Sequence, residues 1–465
     1  MQSLACFFYI CQFHNALEVT INITHGTDVN NQTHIISILL VPFKTMSAKH
    51  TSKNWFQRFW KMLGPGLVPG ASDDDPSGIA TYSQAGARFG LATLWTAIIS
   101  FPLMYAIQEM CARIGIVTNR GLAGIVKDNY PKWVLYLLIF FSCPAIILNI
   151  AADIAGMGAV SNLIFPKIPP AVFSILFTIL LLYFTVILSY RKLAAVMKYL
   201  CLALLVYLLV PFLVKQNFLE IVRSTFIPQV SFSKEFLAVL VGILGTTISP
   251  YLFFWQASME TEMFHGKKKH IILDKFILPH MKKDILYGMF FSVLVMYFIT
   301  LTAGTVLHQN GILSVNTVED AAKALKPVAG KLAYILFAIG VIGISFVAIP
   351  VLAGSVSYII AETMNWKEGL DKKFHEAKGF YLIMIISTFA GLAIQFVGID
   401  PVKALLYTAV LYGITAPVII AIILHICNNR KIMQEYTNNR VSNMLGFLTL
   451  VLMSVSATLL IWFII

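Results

Sequence analysis

Charged residues are scarce in this chain of 465 residues, where Asp, Glu, Lys and Arg together make up 12%. Soluble proteins carry about 25%. Hydrophobic residues reach 58% and the mean hydropathy is +0.79, a balance at which a soluble globular protein would precipitate. The same balance excludes intrinsic disorder and collagen-like repeats. The remaining class is a polytopic membrane protein built from α-helices.

Other signatures are missing as well. The six cysteines form no CxxC pair, and we interpret those in predicted helices as small apolar residues rather than a disulfide set or a metal site. The chain has neither a GxxxxGK phosphate loop followed by Ser or Thr nor an HExxH motif. These absences argue against ATP-driven pumping by this chain alone and against zinc-protease chemistry, and we expect no enzyme activity and no permanently bound cofactor.

The first 45 residues differ from the rest. Residues 1–45 contain one Lys, two acids and no apolar run long enough to span a bilayer. A basic, aromatic stretch begins at Met46. We expect either that translation starts at Met46, which makes residues 1–45 a non-native extension, or that residues 1–45 are disordered. Residues 46–63 are expected to form a cytoplasmic leader.

Eleven apolar segments follow, each long enough for a tilted helix of about 20 residues that spans a bilayer. They are 64–84, 91–113, 133–162, 170–189, 193–214, 235–257, 285–307, 332–361, 380–398, 402–426 and 443–464. The loops on the side of the leader hold most of the Lys and Arg. This bias predicts a multi-pass protein of a bacterial-type plasma (inner) membrane, with its N-terminus in the cytoplasm and its C-terminus outside. We interpret the basic cluster at 267–269 as a membrane anchor rather than a nucleic-acid site.

The segments divide into two five-helix halves, 64–214 and 235–426, followed by an eleventh helix at 443–464. An odd number of helices per half inverts the second half relative to the first. The first and sixth segments are interrupted by proline at matching places, where the corresponding pairs are Ser72 and Thr246, Asp75 and Ser249, and Pro76 and Pro250. Matched interruptions in an inverted repeat predict a substrate site near the middle of the membrane.

Three consecutive carboxylates, Asp73, Asp74 and Asp75, precede Pro76. An acid at the centre of a membrane helix costs at least about 2.5–3.5 kcal/mol, and adjacent acids repel one another. A divalent cation relieves both problems, and oxygen ligands suit hard ions such as Mg2+ or Mn2+. We predict Asp75 at the metal site, with Asp73 and Asp74 in its vestibule. The alternative is a wet helix end that these acids cap.

The sixth segment supplies the facing half of the site. Thr246 and Ser249 can offer hydroxyl or backbone oxygens to the metal, although small residues also serve ordinary helix packing. We place Gln256 in the surroundings of the site, and we expect Glu260 and Glu262 at the solvated cytoplasmic interface.

The third segment contains Asp153 beside Asn149. An acid at this depth predicts either support for the metal site or a proton path. Glu109 in the second segment lies nearer the cytoplasmic end, four residues before Arg113, and we predict a structural ion pair there.

Four motifs in order resemble those of the Nramp (natural resistance-associated macrophage protein) family of divalent metal transporters, and more closely its divergent Nramp-related branch. Between Gly64 and Asn429, the chain shows counterparts of the family's DPGNxAT, ATDIAE, GATVMPH and LAG motifs, at 75–81, 151–156, 245–251 and 352–354. The resemblance implies a LeuT-like 5+5 inverted repeat with broken helices 1 and 6, alternating access, and a metal bound by Asp75 and the backbone carbonyls of Ser72 and Thr246.

The departures from the family pattern bear on selectivity. The family's metal-binding asparagine falls on Gly78, and its methionine, whose thioether favours transition metals, falls on Ser249. Its helix-6 histidine falls on Tyr251, and histidine titrates near neutral pH whereas tyrosine does not. The acid after the helix-3 aspartate falls on Gly156, the helix-10 glutamine on Ala409, and segment 380–398 has no arginine.

We therefore expect a divalent cation transporter whose substrate is Mn2+, Fe2+ or Mg2+, with a preference for harder ions and with weak or absent proton coupling. The metal ion and the lipid bilayer are its expected partners, and nucleic acid is not. Two alternatives stay open: a cation-coupled symporter of small organic solutes on the same fold, and a metal sensor that does not transport. The sequence leaves the oligomeric state open.

Overall fold

The computed structural model describes residues 70, 72–187, 206–214, 216–264, 277–398 and 400–464. All of them belong to one compact unit. Every regular element in these ranges is a helix, which confirms the all-α prediction. The predictions for residues 1–45 and for the leader at 46–63 lie outside the described residues.

The first half of the chain forms seven of the described helices. They are α1 (Pro76–Phe89), α2 (Trp95–Thr118), α3 (Leu122–Asn129), α4 (Lys132–Ile164), α5 (Pro170–Ile187), α6 (Val206–Leu213) and α7 (Phe218–Phe226). Among these, α3 and α7 are short. The long apolar helices have the lengths that a bilayer requires.

The second half continues with α8 (Lys234–Thr247), α9 (Pro250–Phe264), α10 (Leu278–Thr302), α11 (Val318–Lys323), α12 (Lys326–Ala329), α13 (Ala333–Met364), α14 (Lys378–Ile394), α15 (Pro401–Asn428), α16 (Arg430–Met433) and α17 (Arg440–Ile464). Helix α10 runs on through a π turn at Ala303–Leu307 and a 3-10 turn at His308–Asn310.

Eight helical stretches within the described ranges are long and apolar enough to cross a membrane. They coincide with eight of the eleven predicted segments. Segments 64–84 and 193–214 lie only partly within the described residues. The remaining segment corresponds to α2, which has 24 residues. Its length is sufficient for a span at about 1.5 Å per residue, but Glu109 and Arg113 make it less apolar than the others.

Both predicted interruptions are present. Asp75 has non-helical backbone angles (φ −59°, ψ 173°), and α1 begins at Pro76, whose missing N–H is no loss at the first position of a helix. On the other side, α8 ends at Thr247, Ile248 leaves the helical region (φ −110°, ψ 62°), and α9 starts at Pro250. The two breaks free backbone oxygens inside the protein.

Helix α4 lies centrally and packs against α13, α14, α15 and α5, while α8 packs against α15, α17 and α1. Glycine permits the closest of these approaches. A Cβ atom at Gly245 would lie 2.2 Å from the backbone oxygen of Ala409, and one at Gly413 would lie 2.4 Å from that of Val241. Small residues let membrane helices pack backbone to backbone, and here they fix the α8 break beside α15 and α1.

Candidate metal site

Asp75 is held by donors from two helices, and it is 1% exposed. Its Oδ1 accepts hydrogen bonds from Ser77 Oγ at 2.5 Å and from the backbone N–H of Gly78 at 2.9 Å. Its Oδ2 accepts one from Asn149 Nδ2 of α4 at 2.8 Å. The first two bonds cap the N-terminus of α1, where the helix dipole favours negative charge. The third bond fixes the carboxylate against α4.

The two breaks meet through hydroxyl groups. Ser77 Oγ lies 3.3 Å from Thr246 Oγ1 across the gap between α1 and α8. Ser249 Oγ donates to the backbone oxygen of Thr246 at 2.5 Å and to that of Gly245 at 3.3 Å. The Thr246 carbonyl oxygen, which the α8 break frees, therefore accepts a hydrogen bond from the Ser249 hydroxyl of the same break.

Ser72 and Tyr251 form a second bridge between the breaks. The Tyr251 hydroxyl donates to the backbone oxygen of Ser72 at 2.8 Å, and both residues are buried. Gly78 lies in a crowded position, because a Cβ atom there would lie 3.2 Å from Tyr82 Cε2 and 3.4 Å from Thr246 Oγ1. A side chain as large as asparagine could enter this position only if its neighbours moved.

Asp73 and Asp74 are buried, at 0% and 1% exposed. Ser292 Oγ of α10 donates to Asp73 Oδ2 at 2.8 Å. Asp73 Oδ1 and both carboxylate oxygens of Asp74 have no hydrogen-bond partner. Buried acceptors without donors are costly, which is the condition that a cation relieves.

More buried oxygens without a hydrogen-bond partner lie on the α4 side of Asp75. Asn149 and Asp153 stand one turn apart on α4 and are 0% exposed. Asn149 Oδ1 and both carboxylate oxygens of Asp153 lack hydrogen-bond partners, as does the Tyr412 hydroxyl of α15. Asp153 is near enough to Asp75 for their charges to interact. Several buried polar groups without a hydrogen-bond partner, including the Tyr412 O–H, therefore lie on this side of Asp75.

Gln256 belongs to a different group of residues. Its Nε2 donates to Glu260 Oε1 at 2.9 Å, one turn further along α9. Glu260 is buried, and Glu262 accepts a hydrogen bond from the Tyr358 hydroxyl at 2.5 Å. The expectation of a solvated side chain is therefore wrong for Glu260, while Glu262 is half-buried, because α9 packs against α13.

Two acids beyond this region differ in their surroundings. Glu109 and Arg113 form the expected ion pair, with both guanidinium contacts at 3.1 Å. Glu368 lies in the loop between α13 and α14, outside the spanning helices. Burial, followed by the negative charges of Glu362 and Glu262, raises the pKa of Glu368 to about 9.

Within the ranges that the structure describes, no three His, Cys, Asp or Glu side chains converge in an arrangement that could hold a metal ion. A cation beside Asp75 would therefore draw most of its ligands from neutral oxygens such as carbonyls, hydroxyls, amides and water. Hard divalent ions accept such a set.

The sequence analysis did not anticipate three of the groups that contact these acids: Ser77, Asn149 and Ser292. Ser77 could have been found, because a Ser two residues after a capping Asp is placed to donate to it. Asn149 had one signal, its position one turn from Asp153 on the same face of a helix. Ser292 had none.

Solved structures share this architecture. The manganese transporter of Eremococcus coleocola matches with a TM-score of 0.69 and 18% identity, over 87% of each chain. MhsT in complex with L-phenylalanine matches with a TM-score of 0.57 and 13% identity, over 85% of this chain and 97% of the other. These likenesses define the class: an all-helical membrane protein with a LeuT-like fold.

Sequence comparisons then give the family. The profile described as "Natural resistance-associated macrophage protein-like" (Nramp) matches residues 66–463, and the chain belongs to this family. Relatives include the divalent metal cation transporter MntH of Caldanaerobacter subterraneus, 24% identical over 84% of this chain and 90% of the relative. The MntH of Chromohalobacter salexigens is 25% identical over 85% and 89%.

Proposed function

We propose that this protein moves a divalent metal cation across the membrane by alternating access, with Asp75 as its principal ligand. The observation that carries the proposal is the buried Asp75 carboxylate at the α1 break, next to the second break between α8 and α9. Relatives named as metal cation transporters support transport, and not catalysis, as the function.

The remaining ligands are neutral oxygens from the two breaks. The backbone oxygens of Ser72 and Thr246 now accept hydrogen bonds from Tyr251 and Ser249. An ion that enters between the breaks replaces these hydroxyl donors. The Ser249 hydroxyl, once released from Thr246, becomes a further oxygen ligand.

Asp73 and Asp74 attract the ion and hold its remaining water. Three of their four carboxylate oxygens lack donors, so water bound to a cation can supply the missing hydrogen bonds. Mg2+ in particular gives up water reluctantly and usually keeps several molecules when protein-bound. Asp153, buried one turn from Asn149 on α4, adds a further carboxyl group near the site.

The substrate we propose is a hard ion, Mn2+ or Mg2+. Fe2+ is the softest ion that we expect the protein to accept. Ser249 offers a hydroxyl where a thioether would select softer transition metals. Proton coupling is weak or absent in this proposal, since Tyr251 occupies the histidine position, Gly156 the acid position, and α14 has no arginine. A symporter of organic solutes is not favoured, because three buried carboxylates would repel an anionic substrate.

The proposed topology is that of a bacterial plasma-membrane protein with its N-terminus inside. It follows from the distribution of Lys and Arg along the sequence. Cysteine labelling from each side of the membrane tests it independently of transport.

The decisive experiment is uptake into proteoliposomes that contain the purified full-length protein, with Mn2+, Mg2+ and Cd2+ compared while internal pH is recorded. We expect Mn2+ and Mg2+ to enter without acidification, and Cd2+ to compete poorly. Tight Cd2+ transport with strong acidification would refute the hard-ion, uncoupled mechanism. Failure to transport any of the three ions would overturn metal transport itself.

A further inference from the structure

Only one of the two polar atoms in the Asn149 side chain makes a hydrogen bond. Its Nδ2 donates to Asp75 Oδ2 at 2.8 Å, whereas its Oδ1 has no hydrogen-bond partner. The residue is 0% exposed, so bulk water does not reach this oxygen. An amide oxygen left without a donor at such depth costs free energy that a bound cation would recover.

The family pattern has an amide elsewhere in the site, at the position of Gly78. The structure leaves little room for it there, because a Cβ atom at Gly78 would lie 3.2 Å from Tyr82 Cε2 and 3.3 Å from the backbone oxygen of Asp73. Asn149 instead brings an amide to Asp75 from α4, at the Oδ2 atom that Ser77 and Gly78 leave open. Compared with the family pattern, this chain therefore lacks the amide at position 78 and has an amide at position 149.

We propose that Asn149 is a direct ligand of the transported cation and that its Oδ1 replaces the oxygen missing at position 78. This inference rests on the proposed function. It extends the site from the two broken helices to α4, an unbroken helix, and it makes Asn149 a residue that determines which ions are accepted.

The amide also has a role when the ion is absent. With no cation, Nδ2 donates to the negative carboxylate of Asp75. A cation next to Asp75 repels the N–H group and attracts the carbonyl oxygen, so rotation of the amide by about 180° exchanges the two atoms. The terminal torsion of asparagine is broad and roughly two-fold, and this rotation leaves the shape of the side chain unchanged.

The competing explanation is that Asn149 only orients Asp75. The two explanations differ in how selectivity responds. An orienting residue changes the affinity for every metal by a similar factor, whereas a ligand changes the ratio between hard and soft ions. Asn149→Met replaces an amide oxygen with a thioether of similar reach, and it therefore separates a ligand from an orienting residue.

The test measures binding of Mn2+, Mg2+ and Cd2+ to the purified full-length protein by isothermal titration calorimetry. We expect Asn149→Ala to weaken Mn2+ and Mg2+ binding by about 10- to 100-fold. Asn149→Met should raise the affinity for Cd2+ relative to Mn2+ by about tenfold or more. Ser142→Ala is the matched control, since Ser142 is buried on α4 and its hydroxyl has no partner.

Each outcome decides the proposal. Equal losses for all three metals in both Asn149 variants would show an orienting role, and affinities like those of Ser142→Ala would show no role. Either result overturns the inference while leaving the proposed function intact if Asp75→Ala still abolishes binding. A wild-type protein that binds none of these metals would instead overturn the proposed function. Thermal melting establishes that the variants are folded, and Asn149→Met leaves no cavity if the alanine variant is unstable.

Discussion

Replacing Asp75 with asparagine removes one charge while preserving the shape of the site. The amide oxygen of the variant can still accept hydrogen bonds from Ser77 and Gly78, since asparagine caps helices as well as aspartate does. Its NH2 group would face the NH2 group of Asn149. Rotation of the Asn149 amide resolves this conflict, because its own oxygen has no other partner. We therefore expect a folded protein.

The effect on metal binding should be much larger. Two unit charges 4 Å apart interact by about 4 kcal/mol at an effective dielectric constant of about 20. A divalent ion doubles that value, and the cost of desolvating the ion removes part of the gain. If about 4 kcal/mol remains, loss of the Asp75 charge weakens divalent-ion binding about a thousandfold. This loss should abolish transport at micromolar metal concentrations.

The assay combines Mn2+ uptake into proteoliposomes with thermal melting of the purified protein. Asp400→Asn is the matched control. Asp400 also precedes a proline and also caps a helix, accepting from the backbone N–H groups of Val402 and Lys403, but it lies exposed at the start of α15. Uptake should survive in Asp400→Asn and disappear in Asp75→Asn. Wild-type uptake by Asp75→Asn, or a melting temperature that collapses in that variant, would refute the reasoning.

Two further predictions concern acids outside the site. Arg113→Met leaves Glu109 buried without its main partner, which should destabilise the protein by about 3–5 kcal/mol in denaturant titrations, and adding Glu109→Gln should restore most of the loss. Glu368 has a folded-state pKa of about 9 against an ordinary value of 4.5, so folding stability falls as pH rises from the lower value to the higher. Glu368→Gln should flatten this dependence in melting experiments between about pH 5 and pH 9, and an unchanged slope would contradict it.

The helix breaks were predictable because their causes are local. Proline lacks an N–H group wherever it stands, which favours a helix start at Pro76 and at Pro250. Proline alone does not decide this, because Pro144 and Pro350 lie inside long helices, and it was the matching positions in the two halves that singled out these two. The three acids beside Pro76 were also conspicuous, because the chain has so few charges at similar depth. The hydropathy of the sequence located the spanning helices for the same reason, since each segment carries its own signal.

The contacts across the site depended on packing and could not be predicted. Asn149 reaches Asp75 only because α4 lies against α1, and a sequence gives no direct measure of that distance. The burial of Glu260 was missed for a related reason. Its surroundings are set by α13, which covers a face of α9 that the sequence pattern leaves open.

The hydroxyl groups at the two breaks have one more consequence. Tyr251 and Ser249 already donate to the carbonyl oxygens of Ser72 and Thr246, so the protein without cargo leaves neither oxygen stranded. Under the proposed function, an arriving ion would displace these two hydroxyl donors. A carrier whose backbone oxygens are paired in this way could then reorient without first capturing a second ion.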